Sequence, residues 1–280
     1  MSDILWFNGR FTTTEERVLR VEDRGFLFGD AIYEVFKFFD RGPVFLQEHW
    51  LRLARALEVI EIPNPWDEQS FRKTMRELID RTAFDDGIVY IEVSRGDGER
   101  SHTWPEGMTP NAAVFSRRHT FPDAAKKERG IRLVTEEDLR WRHCDVKSVN
   151  LLANILAKQK ALRAGGDEAL LVDDGVVREC SHSSFFIVKE ERVITHPLDC
   201  HILPGITRDR LIAIAGDRID ERYFGLDEVV AADEVFATST SLAVMPVRQI
   251  DDGPLRMRGP ITLELQRRLD EAERASAQRP

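Results

Sequence analysis

The apolar residues of this chain come in short runs punctuated by Gly, Pro, Asp and Asn, and this patterning constrains the fold more than any other feature. Residues 4–8 read as a strand ending at Gly9, and residues 31–39 as a longer strand closed by Asp40-Arg41-Gly42-Pro43. Residues 47–60 read as a helix with Trp50, Leu53, Ala54, Leu57 and Ile60 on one face, and 71–81 as another. Residues 88–94 and 112–116 are expected to be buried strands. Around 119–129, with Pro122-Asp123 and Lys126-Lys127, the chain turns polar and reads as a linker.

The second half opens with a strand at 131–135 and then a helix after Lys147. Hairpins follow at 169–172/176–179 and 185–188/193–196, with a turn at Asp173-Asp174-Gly175 in the first. A helix at 207–215, a strand at 235–238 and a C-terminal helix from near Ile261 complete the order. The expected fold class is mixed α/β (α+β) in two domains, 1–118 and 130–280 around the linker, with a site between the lobes.

At 280 residues, 42% hydrophobic and 32% charged, the chain has the bulk of a globular protein with no run of membrane-spanning length. Its net charge of -9 argues against nucleic acid or an anionic membrane as main partner. Three cysteines, Cys144, Cys180 and Cys200, lack zinc-ligand spacing and suit a reducing cytoplasm. No signal peptide is evident in Met1-Ser-Asp-Ile-Leu-Trp6, and no metal site or Ser-His-Asp triad is read.

Only eight of the 40 basic residues are lysines, and arginine cannot form a Schiff base. Of those eight, Lys147 stands directly before an apparent helix. Ser148 reads as the N-cap, Val149, Leu152, Ala153 and Leu156 recur on one face, and Gly165-Gly166 ends the run. The helix dipole, with Arg140 and Arg142 close by in sequence, is expected to disfavour the charged ammonium, as a nucleophilic amine requires. A solvated lysine beside an ordinary cap is the alternative.

Other segments carry polar chemistry. Leu203-Pro-Gly-Ile-Thr207 and Thr238-Ser-Thr-Ser241 offer backbone amides and hydroxyls suited to a phosphate, or an ordinary cap and a polar turn. Glu179 ends a hairpin strand and needs a cationic partner, whether a protonated pyridine nitrogen or an arginine. Tyr33, Val35 and Lys37 share one strand face. Arg100 and His102, two apart in a polar loop, are suited to a carboxylate or form part of a solvated loop. Arg52 lies off the apolar face of its helix, exposed or within reach of a phosphate.

Together these residues resemble the fold-type IV, class IV aminotransferases that use pyridoxal 5′-phosphate, and among them the D-amino-acid transaminases. The resemblance spans nearly the whole chain. It is densest at 22–34, around Arg100 and His102, and at 140–150, 203–209 and 236–241. It implies a small N-terminal α/β domain and a larger domain with a β-barrel-like core. It further implies that Lys147 holds the cofactor covalently, that Glu179 faces the pyridine nitrogen, and that Leu203 presses on the ring. Arg52, the backbone at Ile206 and Thr207, Thr240 and Ser239 would hold the phosphate. Tyr33, Arg100 and His102 would trap the substrate carboxylate, the last two reaching across a homodimer. Val35, Lys37 and Ser241 would line the substrate side. Amino transfer between D-amino acids (D-alanine, D-glutamate type) and 2-oxo acids follows. An L-specific branched-chain transaminase, an aminodeoxychorismate-type lyase and a non-catalytic binding protein are the alternatives. His182, Ser184 and Leu242-Ala243 depart from the D-specific pattern and imply an altered side-chain pocket; Cys180 is also unusual there.

Overall fold

The structure, a computed structural model, describes residues 3–278. Among these, residues within Met1–Thr120, Val146–Asn150 and Glu273–Pro280 form one compact unit, and those within Phe121–Asp145 and Leu151–Ala272 form a second.

The first unit contains β1 (Ile4–Phe7), β2 (Arg10–Thr13), α1 (Arg24–Phe28), β3 (Ala31–Phe39), β4 (Gly42–Pro43), α2 (Leu46–Val59), α3 (Glu68–Asp80), β5 (Gly87–Ser94) and β6 (Asn111–Arg117). Its sheet runs β2-β1-β6-β5-β3-β4, antiparallel throughout. Alternation along β3 sends Ile32, Glu34, Phe36 and Phe38 to one face, where the three apolar side chains join Trp50, Leu53 and Leu57 of α2 in the core. Tyr33, Val35 and Lys37 take the other face. α3 starts with a capping box between Asp67 and Ser70.

The second unit contains α4 (Ala124–Arg129), β7 (Ile131–Glu137), α5 (Leu152–Arg163), β8 (Glu168–Asp173), β9 (Val176–Cys180), β10 (Ser184–Lys189), β11 (Arg192–Thr195), α6 (Ile206–Ala215), β12 (Ile219–Glu221), α7 (Leu226–Ala231), β13 (Glu234–Ser239), β14 (Ala243–Ile250) and most of α8 (Pro260–Ala277). Its eight strands run β12-β11-β10-β13-β14-β7-β8-β9, with parallel pairs at β11/β12, β14/β7 and β7/β8. The sheet curls: β9, at one edge, touches β10, and Cys180 N donates to Ser183 O at 2.8 Å where they meet. Leu133, Val177, Cys180, Phe185 and Met245 fill the curl. This is the barrel-like core that the family resemblance implies. No helix among the described residues is long and apolar enough to cross a membrane.

The stretch 119–129, read as a linker, contains α4, capped by Asp123. One expectation changes. The helix after Lys147 begins at Leu152 rather than behind Ser148, and its apolar stripe faces outward: Leu152, Ile155 and Leu156 are exposed. Ala157 and Ala161 make the packed face, against Ala169 and Leu171 of β8. Small side chains let the helix sit close to the sheet, and that close fit, rather than the leucine spacing, sets its orientation.

Candidate active site

Lys147 belongs to the first unit because residues 147–149 run alongside the start of β3. Tyr33 N donates to Lys147 O at 2.9 Å and Val149 N to Ala31 O at 3.2 Å, while Val146 is drawn into the core. The amides that a first helical turn would leave open are thus taken up by a strand, so Ser148 is no N-cap and the dipole argument loses its geometry. Half-buried Lys147 instead places Nζ 4.2 Å from the centre of the Tyr33 ring.

Beneath Tyr33, on the helix-packed face of β3, Glu34 receives Arg52 Nε at 2.6 Å, Arg52 Nη2 at 3.0 Å and His49 Nδ1 at 2.6 Å. Burial alone would raise the Glu34 carboxyl, but Arg52 and His49 hold it at about 2. Burial lowers His49 despite that carboxylate, so the neutral ring donates from Nδ1. Arg52, expected from the resemblance to meet a phosphate, therefore has its guanidinium fixed by a side chain that sequence analysis left unassigned. The available signal was a glutamate in the core-facing phase of β3.

Lys37, expected on the substrate side with Tyr33 and Val35, is only 3% exposed, and its Nζ lies 2.7 Å from Glu273 of α8, because a buried ammonium needs a carboxylate.

Arg100 and His102 sit in the exposed loop after β5. Both flank Phe28, the guanidinium 5.5 Å from its ring centre and the imidazole 5.9 Å. The loop is braced from below. Buried Arg24 donates to Ser101 O at 2.7 Å and to Asp30 at 2.8 Å, and Asp30 also receives Arg95 at 2.8 and 3.0 Å. Asp23 caps α1 and accepts from Ser94 and Asn111. The run 22–34 is thus a scaffold that holds an exposed guanidinium and an exposed imidazole on one aromatic ring.

In the second unit, Glu179 Oε1 accepts Arg140 Nη1 at 2.6 Å and Leu203 N at 3.1 Å. Asp138 grips the same guanidinium at 2.8 and 2.9 Å, and Arg140 also donates to His201 O. Arg140, read from sequence as a charge acting near Lys147, is neutralised here by two carboxylates. Burial pushes the Glu179 carboxyl up against the opposing pull of Arg140. Both hydrogen bonds reach Oε1, leaving Oε2 outside them. Leu203, expected against a ring, contributes its amide to Glu179 and is half-buried.

α6 begins at Ile206 behind Gly205, which has no side-chain cap bond. A Cβ on Gly205 would stand 2.9 Å from Ser184 Oγ, and Ser184 pairs with Thr238 across β10/β13. The helix N-terminus, with buried Thr207, therefore lies beside the end of β13, where Ser239, Thr240 and Ser241 follow. Ser239 Oγ is 3.3 Å from Ser241 Oγ and accepts Leu242 N at 3.2 Å. Among the described residues, the buried hydroxyls of Ser183 and Thr238 have no hydrogen-bond partner. Open amides, a close-approach glycine and unpaired hydroxyls suit a phosphate.

The sequence profile described as amino-transferase class IV matches residues 31–250. The chain belongs to this family.

Among related class IV aminotransferases, the D-alanine aminotransferase of Bacillus licheniformis is 36% identical over 268 residues, covering 93% of each chain. A branched-chain amino acid aminotransferase from T.th., solved with pyridoxamine 5′-phosphate, superposes with a TM-score of 0.91 at 26% identity, over 100% of this chain and 96% of that one. The same enzyme complexed with N-(5′-phosphopyridoxyl)-L-glutamate gives a TM-score of 0.89 at 27% identity, over 100% and 96%.

The departures noted in the sequence also find their places. His182, Ser181 and Lys158 converge on buried Glu168, so His182 braces the turn between β9 and β10. Leu242 packs on the core of the second sheet, as does Cys180.

Proposed function

We propose that this class IV enzyme is a transaminase that moves amino groups between D-amino acids, of the D-alanine and D-glutamate type, and 2-oxo acids, with pyridoxal 5′-phosphate as cofactor. The observation that carries the reading is the pairing of the Lys147 segment with β3, which fixes a half-buried primary amine over Tyr33. The 36% identity to a D-alanine aminotransferase supports the D-amino-acid side of it, whereas the branched-chain enzymes stand at 26–27%.

Glu179, its carboxyl fixed by Arg140 and the Leu203 amide, would face the pyridine nitrogen and keep it protonated. Leu203 would press on the ring. Arg52, the Ile206 and Thr207 amides, Ser239 and Thr240 would hold the phosphate. Bound there, the cofactor supplies a carbonyl for the amino group and a cationic ring that accepts electrons released at the substrate α-carbon. Lys147 Nζ would hold the cofactor and would move the proton at the substrate α-carbon. Tyr33, Arg100 and His102 orient the substrate carboxylate, and Val35 and Ser241 line its side chain. Two substrates taking turns at one site give ping-pong kinetics.

The active unit is a homodimer in which Arg100 and His102 reach the other subunit. Their exposure, with that of Phe26, Leu152, Ile155 and Leu156, supports this. Three unpaired cysteines suit a reducing cytoplasm.

A half-reaction panel tests the reading. D-Alanine and D-glutamate convert the visible band of the cofactor-loaded enzyme to the amine form, and L-leucine and L-valine do not. Conversion by the L-amino acids alone, or repeated turnovers of pyruvate release without an amino acceptor, would overturn it.

A further inference from the structure

On the open face of the first sheet, Tyr33, Tyr90 and Phe115 stack across β3, β5 and β6, their ring centres 5.6 and 5.0 Å apart. Lys147 Nζ lies over the Tyr33 end of this row. Glu92 shares the face: it is the cross-strand partner of Tyr33, and Tyr90 donates its hydroxyl to Glu92 Oε2 at 3.0 Å.

Half-buried Glu92 differs from the buried carboxylates Glu34, Glu168, Glu179 and Glu234 in its partners. Glu34, Glu168 and Glu179 each hold a cationic side chain, and Glu234 holds the Ile261 and Thr262 amides. Glu92 holds only a phenol. The titratable groups facing it are Tyr90 on its own strand, Tyr33 on β3 and Asp23 ahead of α1, while β6 sets Ala113 opposite. Burial pushes its carboxyl up, the Tyr90 hydroxyl pulls it back, and Asp23 adds to the rise. Tyr90 is pushed up by the same burial and by Glu92. Half-buried and without a cationic partner among the described residues, Glu92 keeps part of the desolvation cost of its charge.

We propose that Glu92 is a specificity-determining residue that sets how strongly the Tyr33 face accepts negative charge on a substrate. The proposal rests on the reading that Tyr33 receives the substrate carboxylate. Ionised Glu92 repels a carboxylate held by its cross-strand neighbour, and protonated Glu92 does not. Carboxylate binding and Glu92 protonation therefore favour each other. A dicarboxylic substrate feels the repulsion twice, so the face favours substrates with a single carboxylate.

The test uses cofactor-loaded enzyme as wild type, Glu92→Gln and Glu92→Asp, with propionate as an unreactive carboxylate and D-alanine and D-glutamate as substrates. As the pH rises through the titration of Glu92, the wild-type inhibition constant for propionate is expected to weaken by about 3- to 10-fold. Glu92→Gln should bind propionate tightly with a flat profile, and Glu92→Asp should keep the slope. KM for D-glutamate should fall more than KM for D-alanine in Glu92→Gln. Calorimetry in buffers of different ionisation heat should find a proton taken up when the wild type binds propionate, a readout that needs no variant. Parallel profiles in wild type and Glu92→Gln, or no proton uptake, would overturn the role of Glu92 while D-alanine turnover stands. Absence of D-alanine turnover in the wild type would instead overturn the reading of the site, and this proposal with it.

Discussion

Replacing Arg140 with Met should expose how strongly the Glu179 site depends on a single cation. The guanidinium makes ion pairs with Glu179 at 2.6 Å and Asp138 at 2.8 Å, and all three side chains are 6–8% exposed. Removing one partner of a buried pair costs about 3–5 kcal/mol, because the remaining charge is left desolvated. For a chain of this size that corresponds to a fall in Tm of about 6–20 °C. The loss should depend on pH in a definite direction. Burial already raises Glu179 in the folded protein, and without Arg140 it rises further. A carboxyl raised in the folded state is tolerated while protonated and destabilises once the pH passes its unfolded value. The Tm gap between wild type and Arg140→Met is therefore expected to be small near pH 4.5 and to widen toward pH 8, as followed by circular dichroism. Arg140→Lys should recover part of it. A gap of about 2 °C or less at pH 8, or one that narrows as pH rises, would refute the reasoning.

Three other outcomes follow from the same geometry. Lys147→Ala should abolish amino transfer and the cofactor adduct seen by mass after borohydride reduction, yet cost only about 0.5–2 kcal/mol of stability, since the ammonium rests on one ring. Glu34→Gln should be strongly destabilising at neutral pH, and its penalty relative to wild type should shrink as pH falls from about 4.5 toward about 2, where the wild-type carboxyl itself protonates; acid unfolding curves read this directly. Gly205→Ala keeps an allowed backbone (φ -69) but sets a methyl 2.9 Å from Ser184 Oγ, so equilibrium dialysis should show cofactor affinity down by about tenfold with Tm nearly unchanged.

Much of the fold was legible because its signals are local. β3 was read at its observed ends, since a nine-residue run rich in apolar and aromatic residues and closed by Asp-Arg-Gly-Pro leaves little choice. Its period-two alternation also put Tyr33 and Val35 on one face. α5 was misread for the opposite reason. Leucine spacing reports that a helix has an apolar face, but the sheet beneath it accepted alanines, so Leu152, Ile155 and Leu156 point outward.

By itself the sequence determined the chemistry available: one lysine among arginines at the right place, a glutamate closing a hairpin, a close-approach glycine and a run of hydroxyls. It also determined the family, because several ordered motifs in one chain rarely coincide by chance. Tertiary structure decided the partners. It drew Val146 into a core and so laid Lys147 along β3, gave Arg140 to Glu179, tied Lys37 to Glu273, and left Glu92 with a phenol alone. A buried charge must find its counterion wherever the chain folds, and residues 39 or 236 positions apart in sequence, as here, meet only when the backbone brings them together.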